Sequence, residues 1–147
     1  MSGAPGTPPP TDPEDKLIKV ERFDHLVLTV ADVERSQEFY RDVLGMQPVT
    51  FAEDRPGLAF GVQRINLHSS SESLAPAALY PVPGSADICL VTLMAISEVK
   101  EHLRACEVRI EEGPVTRVGA LGPMISLYFR DPDGNLVEVS RYEELEE

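Results

Sequence analysis

Histidine, asparagine and carboxylate side chains recur within short apolar segments of the sequence, where they could hold a divalent ion. The set comprises His25, Asn66, His68, Asp87 and Glu138. Successive side chains of a strand point to opposite faces, so these groups are expected on the face opposite their apolar neighbours. Burying several such groups without partners is costly. Because imidazole and carboxylate suit Mn, Fe, Ni or Zn, a bound metal would satisfy them, and a metal-free hydrogen-bonded cluster is the alternative.

The elements that must position these residues follow a pattern that occurs twice. The first half predicts a strand in RFDHLVLTV, a helix capped by Asp32, and strands in MQPVTFAED, GLAFGV and RINLHSS. The second half predicts a strand in ADICLVTL, a helix with Ser97 as N-cap, and a strand in VRIEEGPV. MISLYFR and NLVEVSR complete it as strands joined by a DPDG turn.

The repeat predicts an α+β fold of two tandem βαβββ modules, whose sheets curve around a shared pocket. Residues 69–85, which are rich in Ser, Ala and Pro, are expected to link the halves. TRVGALGP is predicted to be a glycine-bearing loop, from which Arg117 could close over an anionic ligand. Ser126 and Tyr128 are expected on the pocket face of MISLYFR.

Composition limits the possible partners. The net charge of −12 disfavours nucleic acid, and no apolar stretch approaches the length of a membrane helix. Residues 1–16 are predicted to be a disordered Pro-rich tail, 20–142 the folded domain, and 143–147 an acidic tail. The N-terminal residues lack targeting features, which favours a cytoplasmic location.

The pattern resembles the vicinal-oxygen-chelate, or glyoxalase/bleomycin-resistance/dioxygenase, superfamily. The resemblance rests on DHLVLTVADVERSQEFYRDVLGM, PGSADICL and SLYFRDPDGNLVEVS, and it spans roughly residues 20 to 142. RINLHS, EEGPVTRVGALGP and the last of these segments are similar to a subfamily of glyoxalase domain-containing proteins and their bacterial relatives. The family includes isomerases, dioxygenases, thiol transferases and metal-free binding proteins, so it implies the fold more specifically than the activity.

The resemblance also implies roles for single residues. Metal-binding members take ligands from the first, fourth, fifth and eighth strands, where this chain has His25, Asn66, Asp87 and Glu138. Asn66 and Asp87 depart from the glutamate and histidine that are common there, and His68 is a substitute ligand. Glu138 and Tyr128 are the candidate catalytic residues. Candidate substrate contacts are Asn66, Arg117, Ser126 and Tyr128. Many relatives build each pocket from two chains, so a homodimer is expected.

Three hypotheses remain open from the sequence. The first is a metal-dependent lyase, isomerase, thiol transferase or dioxygenase that acts on a small oxygenated substrate. The second is a metal-free protein of the bleomycin-resistance type that binds a small ligand, which the asparagine at position 66 favours. The third is an adaptor whose Pro-rich tail recruits a partner domain.

Overall fold

The computed structural model of the chain describes residue 6 and residues 17–143. Eight strands and two helices occur here in two β-α-β-β-β modules, which confirms the predicted α+β repeat. The first module contains β1 (His25–Val30), α1 (Val33–Leu44), β2 (Gln47–Phe51), β3 (Arg55–Phe60) and β4 (Gln63–Ser69). The second contains β5 (Asp87–Val91), α2 (Ile96–Ala105), β6 (Glu112–Gly119), β7 (Gly122–Arg130) and β8 (Leu136–Tyr142). Apart from residue 6, the predicted tail 1–16 lies outside the described residues, as do residues 144–147.

The two modules form sheets with the same topology. Their strand orders are β1-β4-β3-β2 and β5-β8-β7-β6, with a parallel pair at the start of each order and antiparallel pairs elsewhere. Val27 pairs with Asn66 in the first sheet, and Cys89 pairs with Glu138 in the second. Aligning β1 with β5 therefore makes Asn66 and Glu138 equivalent positions of the two modules.

Helix α1 begins and ends as its sequence predicts. The Asp32 side chain accepts a hydrogen bond from Arg35 N at 3.1 Å, which caps the first turn. Gly45 ends the helix with a left-handed φ of 68°, where a residue with a Cβ would be strained. The buried face of the helix carries Ser36, Tyr40 and Val43, so one side of α1 faces the core.

Each module has its own apolar core, and the two cores meet. Leu28, Leu58 and Ile65 belong to the first core, whereas Leu127 and Phe129 belong to the second. Four partly buried side chains pack against both cores, namely Phe39, Leu44, Ile88 and Leu90. Burial of apolar surface stabilises the chain by roughly 25 cal/mol per Å², so this shared packing holds the modules together.

A buried polar contact joins the modules beside these cores. Asp131, which begins the DPDGN turn, accepts a hydrogen bond from Tyr40 Oη at 2.7 Å. It also accepts bonds from Asp133 N, Asn135 N and Asn135 Nδ2 at 2.8–2.9 Å. Burial raises the pKa of Tyr40, with the nearby Asp131 charge adding to the effect, so the phenol stays protonated and remains a donor.

Two predictions of local structure were wrong. The expected loop TRVGALGP is a tight hairpin, because β6 continues to Gly119 and β7 starts at Gly122. Its β-branched residues favour a strand, and the glycine signal marks only the turn. Helix α2 starts at Ile96 with Ala95 as an N-cap that has no side-chain bond, so Ser97 lies within the first turn. Ile96 packs on the second core, which accounts for the earlier start.

Within residues 17–143, neither helix is both long enough and apolar enough to cross a membrane.

Candidate functional site

Each sheet has one face covered by the helices and apolar cores and one open face. In β1, Leu28 and Val30 are buried, whereas His25 and Val27 on the alternate positions are exposed. In β8, Val137 and Val139 are buried, and Glu138 between them is only half-buried. The alternation predicted for the polar residues therefore agrees with the burial along these strands, and the open faces carry them.

The open face of the first sheet carries His25, Asn66 and His68. His25 Nδ1 lies 2.9 Å from Asp24 Oδ2. The other ring nitrogen, Nε2, is therefore the one that could bind a metal. Asn66 is buried, and its Oδ1 accepts a hydrogen bond from Arg64 Nε at 2.6 Å. This bond uses the amide oxygen that a metal would otherwise need. His25 is therefore a better ligand candidate than Asn66 on this face.

Arg64 is held over the same face by an aromatic ring. Its guanidinium carbon lies 3.7 Å from the centre of the Phe51 ring, which is a cation–π arrangement. Gly57 on the intervening strand leaves room for both side chains, because a Cβ there would lie 3.3 Å from each. The positive charge of Arg64 thus lies beside Asn66 on the open face.

A cavity of about 300 Å³ lies beside His68. The sequence did not predict that residues of the linker form one of its walls. The linker between the modules passes over β1 and β4 at this point. The cavity is lined by Val27, Thr29, His68, Pro76, Ala77, Ala78 and Pro81. The Pro- and Ala-rich composition of the linker was the available signal, since those residues give an apolar wall. One imidazole and one hydroxyl therefore face a mostly apolar space.

The open face of the second sheet carries a chain of hydrogen bonds. Ser140 Oγ donates to Glu138 Oε2 at 3.2 Å. Ser140 Oγ also lies 2.7 Å from Ser126 Oγ and 3.3 Å from Cys89 Sγ. Because Ser126 is fully buried, it supports Ser140 and Glu138 here rather than offering surface to a ligand. The half-buried carboxylate of Glu138 lies at one end of this chain of hydrogen bonds.

Desolvation raises the pKa of the Cys89 thiol, and the nearby Glu138 carboxylate raises it further, whereas its bond to Ser140 lowers it. The thiol therefore stays protonated at neutral pH and is a poor nucleophile.

Tyr128 lies between Glu138 and a basic side chain. It pairs with Glu138 across β7 and β8, and, in addition to desolvation, the Glu138 charge raises the pKa of Tyr128. Arg117 Nε donates to Tyr128 Oη at 3.0 Å, while Arg117 Nη2 donates to Glu112 at 3.0 Å. Desolvation raises the pKa of Tyr128, and the Arg117 bond opposes this rise. The phenol is thus held as a neutral donor.

The position of Arg117 corrects the expectation of a closing loop. It lies in β6, paired with Met124 of β7, and its bonds to Tyr128 and Glu112 fix the guanidinium. Arg117 is therefore part of the sheet surface. It can meet an anion there, but it does not move over the site as a loop residue would.

One chain does not gather the four candidate metal ligands. Among residues 17–143, no three His, Cys, Asp or Glu side chains lie close enough together to hold one ion. His25 and His68 belong to the open face of the first sheet, whereas Glu138 belongs to that of the second. Asp87 is exposed at the start of β5. Each open face thus carries only part of the candidate ligand set.

A family model described as the Glyoxalase/Bleomycin resistance protein/Dioxygenase superfamily matches residues 22–139. The chain is 48% identical over 123 residues to Virulence protein STM3117 of Salmonella typhimurium, which covers 84% of this chain and 85% of that protein. It is 42% identical over 139 residues to Glyoxalase domain-containing protein RDO1 of Mycosarcoma maydis, covering 95% and 78% of the two chains.

Solved structures agree with this assignment. The crystal structure of STM3117 has a TM-score of 0.84 at 47% identity, covering 86% of this chain and 100% of that one. Lactoylglutathione lyase from Agrobacterium tumefaciens has a TM-score of 0.65 at 25% identity, covering 84% and 95%. The family predicted from the sequence is thus confirmed, and the chain belongs to the Glyoxalase/Bleomycin resistance protein/Dioxygenase superfamily.

Proposed function

We propose that this chain is a metal-dependent enzyme for a small oxygenated molecule and that it acts as a homodimer. In the dimer, the open face of the first sheet of one copy lies against the open face of the second sheet of the other. The observation that carries the proposal is the division of metal-type donors between two uncovered faces, with imidazoles on one and Glu138 on the other. Val27 and Val91, which are 44% and 58% exposed, lie on the same faces and favour a partner surface.

The ligands proposed for a divalent ion are His25 from one copy and Glu138 from the other. His68 pairs with Thr29, four residues along β1 from His25, which is roughly 13 Å at about 3.3 Å per residue. His68 is therefore proposed to line the neighbouring cavity and not to share this ion.

An imidazole whose second nitrogen is held by a carboxylate is a common arrangement in metal sites, and His25 has this bond to Asp24. Asp87 is the further candidate. Mn, Fe, Ni and Zn all suit such nitrogen and oxygen donors. When bound, the ion would supply a Lewis acid to a substrate oxygen.

The remaining groups suggest how a substrate is held. Arg117 and Tyr128 offer a guanidinium and a phenol beside Glu138, which suits an anionic or oxygen-rich group. The cavity beside His68 offers apolar walls to the rest of the molecule. Glu138 is the proposed proton carrier, and Tyr128 lies opposite it across β7 and β8. The resemblance to a lactoylglutathione lyase is consistent with a lyase or isomerase.

The proposed location is the cytoplasm. Cys89 and Cys106 are both free thiols, and thiols stay reduced in that compartment.

Metal content tests the proposal. Elemental analysis of the purified, untagged protein is expected to find a divalent transition metal in near-stoichiometric amount. His25→Ala and Glu138→Ala are each expected to lose it, because each removes a ligand. Thr50→Ala, in a strand at the far edge of the first sheet, is the matched control and should keep it.

A second candidate function is metal-free ligand binding. The bond that Arg64 makes to Asn66 favours it, because the position equivalent to Glu138 is then committed to another side chain. Absence of metal in the native protein, even after incubation with these ions, would contradict the enzyme proposal and support this candidate.

A further inference from the structure

A second group of metal-type donors lies on the helix side of the molecule, away from both open faces. His102 and Cys106 are one helical turn apart on α2 and its C-cap, so they project from the same side. His102 Nε2 lies 3.1 Å from the backbone oxygen of Asp42 in α1, and Cys106 Sγ lies 3.7 Å from the same oxygen. The two side-chain atoms are 3.5 Å apart.

The fold explains why this oxygen is shared. Helix ends leave carbonyls without helical partners. In the last turn of α1, Gly45 N bonds to Arg41 O and Met46 N bonds to Tyr40 O. Asp42 O is directed instead toward α2, where the imidazole and thiol lie. This contact joins the helix of the first module to the helix of the second.

The three distances match one face of a tetrahedral zinc site. With zinc–ligand distances of about 2.3 Å for sulfur and about 2.0–2.2 Å for nitrogen and oxygen, tetrahedral geometry separates ligands by about 3.4–3.6 Å. The observed separations of 3.5, 3.7 and 3.1 Å lie within a few tenths of an ångström of this spacing. His102 is exposed and Cys106 is half-buried, so water can reach the fourth position.

We propose that His102, Cys106 and the Asp42 carbonyl bind one zinc-class divalent ion, at a site distinct from the one on the open faces. The set has two side chains and one carbonyl, fewer than an ordinary structural zinc site. The Asp42 carboxylate is held by Arg41 Nε at 2.8 Å, so it is not counted as a ligand. The ion would replace the three contacts among these atoms with coordination and tie α1 to α2.

Titration of the full chain with Co²⁺ tests this site, because a cobalt–thiolate bond gives a charge-transfer absorption that histidine and carboxylate ligands do not give. The native protein is expected to show this band. Cys106→Ser should abolish it, and His102→Ala should weaken Co²⁺ binding at this site by about tenfold or more. Competition with Zn²⁺ should bleach the band.

Controls separate this site from the proposed enzyme site. Cys89→Ser and the double variant His25→Ala/Glu138→Ala are expected to keep the band, whatever metal the open faces bind. Thermal melting checks that each variant is folded. In the His25→Ala/Glu138→Ala background, Zn²⁺ should raise the Tm, and adding Cys106→Ser should remove that rise. A native protein without the band, a band that survives Cys106→Ser, or a band lost in Cys89→Ser would each overturn the proposal.

Discussion

Glu138 is the residue on which the polar groups of the second sheet converge. It accepts a hydrogen bond from Ser140, and, in addition to desolvation, its charge raises the pKa of both Tyr128 and Cys89. The bond from Ser140 orients the carboxylate, as a metal ligand or proton carrier requires. The sequence predicted this residue through strand alternation. The sequence did not predict that Cys89 and Tyr128 lie beside it. Those neighbours depend on the register between strands, and the alternation within one strand does not give that register.

The Cys89 thiol reports on the Glu138 charge. Because desolvation and Glu138 both raise its pKa, the midpoint of its alkylation by iodoacetamide, measured on chelator-treated protein, is expected above its ordinary value of 9.0. Removing the charge in Glu138→Gln should lower the midpoint, since Glu138 raises the pKa more than the other nearby carboxylate, Asp87. Rates of Cys89 modification across pH, followed by peptide mass spectrometry, measure this effect.

Asp24→Asn is the control for that measurement, because Asp24 is exposed beside His25 on the other sheet. It should leave the midpoint unchanged. A midpoint at or below 9.0 in the native chain, or no change in Glu138→Gln, would contradict the arrangement of this face.

At the scale of elements, most helices and strands follow from local sequence. Asp32 and Gly45 mark the ends of α1, and period-two alternation marks β1 and β8. The β6–β7 hairpin was mispredicted because its two glycines gave a stronger local signal than its β-branched residues. The partners of α1 were also unpredictable, since Tyr40 meets Asp131 over 91 residues of sequence. Only the packing of one module on the other creates that contact.

Tyr40→Phe tests the contact between the modules. The change removes the hydroxyl and leaves the buried Asp131 carboxylate with one donor fewer, so it should lower the free energy of unfolding by about 1–3 kcal/mol. Chemical denaturation followed by circular dichroism measures the loss. Tyr80→Phe, at a tyrosine that is 76% exposed, should change stability by less than about 0.5 kcal/mol. Equal stability of the two variants would refute the structural role of this bond.

At the scale of the whole molecule, the linker covers part of the first open face beside His68, and within residues 17–143 no second sheet packs against either open face. The sequence predicted that two sheets would enclose a shared pocket, and the family and fold are confirmed. In the proposed dimer, the way in which two copies meet decides which faces enclose that pocket, and no motif of one chain contains this information. The division of candidate ligands between the sheets is therefore the feature that a dimer would explain.

The most direct test of that account is metal binding by an equimolar mixture of His25→Ala and Glu138→Ala, unfolded and refolded together. If each site takes His25 from one copy and Glu138 from the other, every mixed dimer has one intact site. Random pairing then restores about a quarter of the sites, although neither variant alone binds metal. Recovery near that fraction would support the shared site. A native protein that binds metal and a mixture that recovers none would contradict it and place all the ligands of a site within one chain.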